Sequence, residues 1–92
     1  MKKVYFPSKT ELMEAVVEAI KINGGECDVV TINKTVIDIL DLPDEVVQLE
    51  DESGLGTKLD YRLRWARTEL KANDVIKNVK RGTWALSNSA NN

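Results

Sequence analysis

The segment from residue 57 to residue 86 constrains the fold more than any other part of this 92-residue chain. It begins with Thr57, and Asp60 follows three residues later, a spacing that favours the start of a helix. An apolar stripe with helical spacing comes next, formed by Leu59, Leu63, Ala66 and Leu70. The segment therefore predicts one long helix over about residues 57–73, with one side in the protein core.

Two short runs after this helix predict a β-hairpin. Residues 75–79 and 82–86 are largely apolar, and the second run alternates in the manner of a strand. Lys80 and Arg81 lie between the two runs, and Gly82 allows a tight turn. The hairpin would therefore carry two cations at its tip.

The faces of the predicted helix differ in chemistry. Measured from Leu59 at 100° per residue, a basic face covers about 80–140° and consists of Arg67, Lys71 and Arg64. An aromatic flank lies beside it at about 180–240° and consists of Tyr61, Trp65 and Thr68. A helix of this kind, followed by a hairpin with a basic tip, is the arrangement that a winged helix-turn-helix uses on DNA.

The first third of the chain predicts a capped helix and a short strand. Ser8 and Glu11 have the spacing of a capping box, so we expect a first helix over about 9–22. Glycines after residue 23 end this helix, because glycine adopts the left-handed cap conformation without a steric penalty. Residues 26–30 are then expected to form an edge strand.

A second helix is predicted over about 31–41, with Thr31 as its cap. Pro43 ends that helix and favours the first turn of a short helix at 44–50. The predicted fold is therefore α+β and mostly helical: a winged helix-turn-helix with three main helices, a short fourth helix and a C-terminal two-stranded wing. The domain would cover residues 8–87, between a lead-in at 1–7 and a disordered polar tail at 88–92.

Composition narrows the classes of function. The chain has no histidine and one cysteine, Cys27, which removes most zinc sites, Ser-His-Asp triads and an internal disulfide. No apolar run approaches the roughly 18 residues that span a membrane. The acidic run Glu50-Asp51-Glu52 is interpreted as a solvated loop rather than a metal site. We expect a cytoplasmic protein that is not an enzyme, with no cofactor, no metal and no membrane partner.

Charge is divided unevenly along the chain. The net charge is −2, but residues 8–57 hold three lysines against twelve acidic residues, a net −9. Residues 58–86 hold eight cations against three acids, a net +5. This asymmetry indicates one surface that meets a polyanion and another that does not.

Several side chains allow two interpretations. Trp65 and Trp84 could stack on bases, but two tryptophans in a small domain more often fill the core, and we expect that here. Tyr61 could pack on Trp65 or present its hydroxyl to a phosphate. Arg62, at about 300° on the wheel, fits an internal salt bridge as well as a DNA contact.

One motif of the predicted long helix and the hairpin consists of residues 62–71, RLRWARTELK, followed by Val75 and Ile76 and then by residues 80–86, KRGTWAL. This motif resembles the N-terminal domain of Mrr-type restriction proteins. The resemblance extends more generally over about 75 residues, back to the first helix. In that family the domain is a winged helix that holds DNA, usually ahead of a separate metal-dependent nuclease domain. This chain has Asn73 and Asp74 where the family commonly has Ala-Gly, and it carries no nuclease domain.

The leading hypothesis is a winged helix that binds double-stranded DNA, with helix 57–73 against the major groove and the hairpin tip on a phosphate or in the minor groove. The predicted contacts are Lys58, Tyr61, Arg64, Arg67, Thr68, Lys71, Lys80 and Arg81. The alternative is a winged helix that binds another protein through the acidic surface of residues 8–57. A nuclease domain, another protein and a second copy of the chain are further partners that the sequence leaves open.

Overall fold

Helix α1 begins at a complete capping box. A computed structural model describes residues 6–54 and 56–87, and in it α1 is Lys9–Ile22. The Ser8 hydroxyl accepts a hydrogen bond from the Glu11 amide at 3.2 Å, and the Glu11 carboxylate accepts one from the Ser8 amide at 2.9 Å. Both bonds satisfy amides that the first helical turn leaves without a partner. The predicted span 9–22 and its cap are confirmed.

Helix α2 begins earlier than predicted. It is Val29–Leu40, and the Asp28 carboxylate caps it by accepting a hydrogen bond from the Thr31 amide at 2.8 Å. The prediction of Thr31 as the cap is wrong, because the helix begins at Val29 and Thr31 lies in its first turn. The amide of Thr31 is itself the group that the Asp28 carboxylate caps. Strand β1 is correspondingly short, Glu26–Asp28. Helix α3, Asp44–Val47, is also shorter than the predicted 44–50.

Helix α4 is Lys58–Ala72, and the Thr57 hydroxyl caps it at 3.1 Å from the Asp60 amide. Asn73 is the C-cap of the helix, and Asp74 follows it with a left-handed φ of 64°. The Val75 amide then donates to the Leu70 carbonyl at 2.9 Å and closes the final turn. The chain passes from there directly into β2.

Three strands form one antiparallel sheet. Strand β2 is Ile76–Lys80 and β3 is Thr83–Leu86, and the order in the sheet is β1-β3-β2. The expectation of a two-stranded wing is corrected, because the backbone of Glu26–Asp28 pairs with the free edge of β3, with Cys27 opposite Trp84. The last strand of the described chain therefore lies in the middle of the sheet.

The core lies between α1, α2 and α4 and is closed by β3. It is aliphatic, and its largest fully buried members are Leu12, Ile20, Ile32, Leu59, Leu63 and Ile76. Pro7 is also buried and Phe6 packs against the core, so the last two residues of the predicted lead-in belong to the folded unit. The rest of the lead-in and the predicted tail at 88–92 lie outside the described residues. No helix within the described ranges is long and apolar enough to cross a membrane.

Candidate nucleic-acid interface

The face of α4 that points away from the core carries two aromatic side chains. Trp65 is 55% exposed and Tyr61 is 47% exposed. Their rings meet edge to face, with centroids 6.2 Å apart and planes at 72°. The expectation that Trp65 fills the core is wrong, because the aliphatic residues of α1, α2 and α4 already fill it. Trp84, on β3, does pack against the core as predicted.

The predicted cations of α4 lie on either side of this aromatic pair. Arg64 and Lys71 are exposed on one flank. On the other flank Lys58 and Arg62 approach the face of the Phe6 ring, with Nζ 4.8 Å and Cζ 5.6 Å from its centroid. In these contacts the two cationic side chains lie across the Phe6 ring and cover it, which also keeps both side chains close to α4.

Thr68 lies between the two turns that carry Trp65 and Lys71. Its hydroxyl donates a hydrogen bond to the Arg64 carbonyl at 3.0 Å. The single proton of the hydroxyl is thus used within the helix, which leaves the oxygen as an acceptor. Thr68 can therefore accept a hydrogen bond from a base amino group, whereas donation to a phosphate requires it to break the internal bond.

Arg67 differs from the other predicted contacts because it is only 8% exposed. Its Nη1 donates to Asn33 Oδ1 on α2 at 3.3 Å, and Asn33 Nδ2 donates to Asp60 Oδ1 at 3.5 Å. Burial lowers the pKa of Arg67; the nearby Asp60 carboxylate acts in the opposite sense, and Arg64 lowers it further. The expectation that Arg67 shares the exposed basic face is wrong. Its position at about 80°, the nearest of the three cations to the apolar stripe, was the available signal.

The side chain of Asn78 forms hydrogen bonds across the turn between β2 and β3. Asn78 Nδ2 donates to the carbonyl of Lys80 at 2.9 Å and to the carbonyl of Thr83 at 2.8 Å, so it spans the turn from inside. The sequence offered no signal for this role. Gly82, at φ 76°, completes the turn, and its carbonyl accepts the Val29 amide at 2.9 Å. The exposed Lys80 and Arg81 thus lie on a turn that is hydrogen-bonded to the first residue of α2.

The structure brings the predicted contacts together in two groups. Lys58, Tyr61, Arg64, Thr68 and Lys71 lie along α4. Lys80 and Arg81 lie at the turn between β2 and β3, and three residues separate the end of α4 from the start of β2. Among the residues that the structure describes, no group of three or more carboxylates or cysteines is placed to hold a metal ion.

Three carboxylates of α1 lie on a surface apart from α4, whereas Asp51 and Asp60 lie beside Tyr61 and Arg64. Glu11, Glu14 and Glu18 of α1 line a concave region together with Ile39 and Leu40 of α2. Ile39 is 37% exposed there, beside the carboxylates. The region has the composition of a surface that would accept a basic, partly apolar segment.

Comparison with known proteins places the chain in a family. Searches against curated proteins and against solved structures gave no match. The family model described as the Mrr N-terminal domain matches residues 10–92, which is nearly the whole chain. That match includes α4 and the hairpin with its basic tip. The chain therefore belongs to the Mrr N-terminal domain family.

Proposed function

We propose that this chain is a winged helix that binds double-stranded DNA, with α4 against the major groove and the β2–β3 turn on a phosphate or in the minor groove. The element order supports the fold, because a hairpin follows the third main helix and three helices share one core. Family membership supports a relation to Mrr-type restriction proteins. The role proposed is binding without a catalytic step.

One observation carries the proposal: the cations of α4 and of the hairpin tip point to solvent. Arg64, Lys71, Lys80 and Arg81 are exposed, and within the described ranges none of them forms an ion pair with a carboxylate. Lys9, by contrast, pairs with Glu69 across the α1–α4 junction. Exposed, unneutralised cations on two adjacent elements are what a duplex backbone requires.

The proposed contacts follow from exposure. Lys58, Tyr61, Arg64, Thr68, Lys71, Lys80 and Arg81 are retained, and Arg62 joins them because it is exposed beside Lys58. Arg67 is assigned to the protein interior instead. The six cations in this set predict a log–log dependence of affinity on salt with a slope of about −5.

Fluorescence anisotropy with a 25-bp duplex between 50 and 200 mM salt tests the proposal. Arg64→Ala and Lys71→Ala should each weaken binding and flatten the slope by about 0.9. Lys21→Ala is the matched control, because Lys21 is an exposed cation at the end of α1, and it should leave the slope unchanged. Absent or salt-independent binding would refute the proposal.

A second candidate function is a protein-interaction module. It is favoured by the exposed Ile39 among the carboxylates of α1, where a basic partner segment would gain both apolar and ionic contacts. Charge reversal at Lys80 and Arg81 separates the two functions. It should abolish DNA binding, whereas a partner held on the α1–α2 surface should still bind.

A further inference from the structure

The side chains farthest from the core on α4 are aromatic rather than charged. At 100° per residue from Leu59, the direction opposite the core lies near 180–240°, and it holds Thr68, Tyr61, Ala72 and Trp65. Arg64, at about 140°, lies at the edge of this strip. A helix that enters a groove with this face inserts its aromatic pair deepest and leaves its cations beside the backbone.

The pair is held in one arrangement before any ligand arrives. The edge-to-face contact of Tyr61 with Trp65 restricts both rings; Tyr61 lies in the first turn of α4 and Trp65 lies in the middle of the helix. Aromatic side chains have two side-chain torsions each, so fixing them costs little entropy on binding. The surface is therefore suited to an apolar ligand group of defined position.

The cations around the pair indicate what that ligand is. Arg64 and Lys71 lie on one side of the pair, and Lys58 and Arg62 lie on the other. Asp60 lies on the first side and Glu69, paired with Lys9, on the second, so each edge of the aromatic strip keeps a net positive charge. A partner with a charged rim of phosphates and an apolar group within the groove satisfies both features. In the major groove of DNA, the apolar base-edge group is the C5 methyl of thymine.

We propose that Tyr61 and Trp65 bind the C5 methyl groups of thymines in the major groove, and that α4 therefore prefers A·T-rich duplexes. The inference rests on the proposed DNA binding and names the base-edge chemistry that this face recognises. Both kinds of base pair present polar groups in the major groove, but only the A·T pair adds an apolar methyl group that aromatic carbons can cover.

Two 25-bp duplexes test the proposal: an alternating A·T sequence and the same sequence with every thymine replaced by deoxyuridine. Deoxyuridine keeps the O4 acceptor and the base pair and lacks only the methyl group. Wild-type protein should bind the thymine duplex about four-fold more tightly for each methyl that it buries. The salt slope should be the same for both duplexes, because the phosphates are identical.

The variants assign the preference to the aromatic pair. Trp65→Ala should reduce the thymine-to-deoxyuridine ratio to less than about two-fold, and Trp65→Phe should keep most of it, since an aromatic ring remains. Ile22→Ala is the matched control, because Ile22 is 60% exposed at the end of α1, and it should leave the ratio unchanged. Circular dichroism melts of each variant confirm folding.

Each other outcome overturns the inference in a distinguishable way. Equal affinity for the two duplexes with a steep salt slope overturns the methyl contact and leaves DNA binding intact. A preference that persists in Trp65→Ala assigns it to other residues. A dimer that Trp65→Ala dissociates, with DNA affinity unchanged, makes the pair a protein contact. Absence of salt-dependent binding to either duplex overturns the proposed function itself.

Discussion

Arg67 of α4 donates a hydrogen bond from its guanidinium to the side-chain oxygen of Asn33 on α2, at 3.3 Å. The contact joins the two helices at the edge of the core, and Asn33 continues it to Asp60. Because Arg67 is buried against Asn33, its guanidinium contributes to the position of α4 rather than to the surface that α4 presents.

Replacing Arg67 with alanine should therefore lower stability without changing the salt dependence of DNA binding. Loss of a buried hydrogen bond to a charged group costs about 1.5–3 kcal/mol, which corresponds to a fall in melting temperature of roughly 6–20 °C for a domain of this size. Urea and thermal denaturation measure the loss. Arg64→Ala is the matched control, because Arg64 is exposed on the same helix, and it should leave the melting temperature within about 2 °C of wild type. A flattened salt slope with unchanged stability in Arg67→Ala would contradict the assignment.

Asp74→Gly should stabilise the domain by about 1 kcal/mol. Asp74 holds a left-handed φ of 64° at the end of α4, a conformation that costs a residue with a Cβ about 1–2 kcal/mol and costs glycine little. Asp74→Ala removes the same charge and keeps the Cβ, so any gain specific to glycine isolates the backbone effect. Equal stability of the two variants would show that the charge, not the conformation, matters.

The contribution of the Asp28 carboxylate to the free energy of unfolding should decrease as the pH falls below about 4. Hydrogen bonds from Thr31 lower the pKa of the Asp28 carboxyl in the folded protein. Its contribution is therefore complete above the unfolded-state value of about 3.9 and is lost as the pH falls through the lower folded value. Asp28→Asn keeps a capping oxygen and does not titrate, and other acids such as Asp51 are common to both proteins. The stability difference between wild type and Asp28→Asn should be constant above about pH 5 and should shift against wild type below about pH 4. A difference that stays constant down to pH 2.5 would refute this role.

Asn78→Ala should weaken DNA binding through the hairpin tip. Without the two bonds from Nδ2, Lys80 and Arg81 must be ordered on binding, which costs roughly two- to ten-fold in affinity. The measurement is a double-mutant cycle with Arg81→Ala. If Asn78 acts by positioning the cations, its substitution should have a much smaller effect when the arginine is absent. Fully additive effects would show that Asn78 acts elsewhere.

Features that depend on local sequence were predictable. The capping box at Ser8 and the cap at Thr57 fix the starts of α1 and α4, because a cap involves residues only three apart. The hairpin follows equally from its short runs and Gly82. The error in the cap of α2, Thr31 for Asp28, arose because two residues three positions apart can both cap a helix.

Features that depend on distant contacts were not predictable. The burial of Arg67 depends on α2, whose Asn33 lies against it; the wheel angle of about 80° indicates a position near the core but does not identify that neighbour. The wheel angle of Trp65 indicated an outward position, and the expectation that Trp65 fills the core came instead from the usual burial of tryptophan. The pairing of β1 with β3 joins residues about sixty positions apart, and no local pattern in Glu26–Asp28 indicates its partner. The individual DNA contacts of the proposed site could not be predicted for the same reason, because they depend on the position of the bound duplex.

The central position of β3 has a consequence for how the chain acquires its structure. Strands β1 and β2 both depend on β3 for their hydrogen-bonding neighbour, and β3 is made after them. Before residues 83–86 have been synthesised, α1 can form its helix, but β1 and β2 both lack the strand with which they pair. The sheet therefore cannot form until residues 83–86 have been synthesised, and loss of β3 from the sheet would break both strand pairings at once.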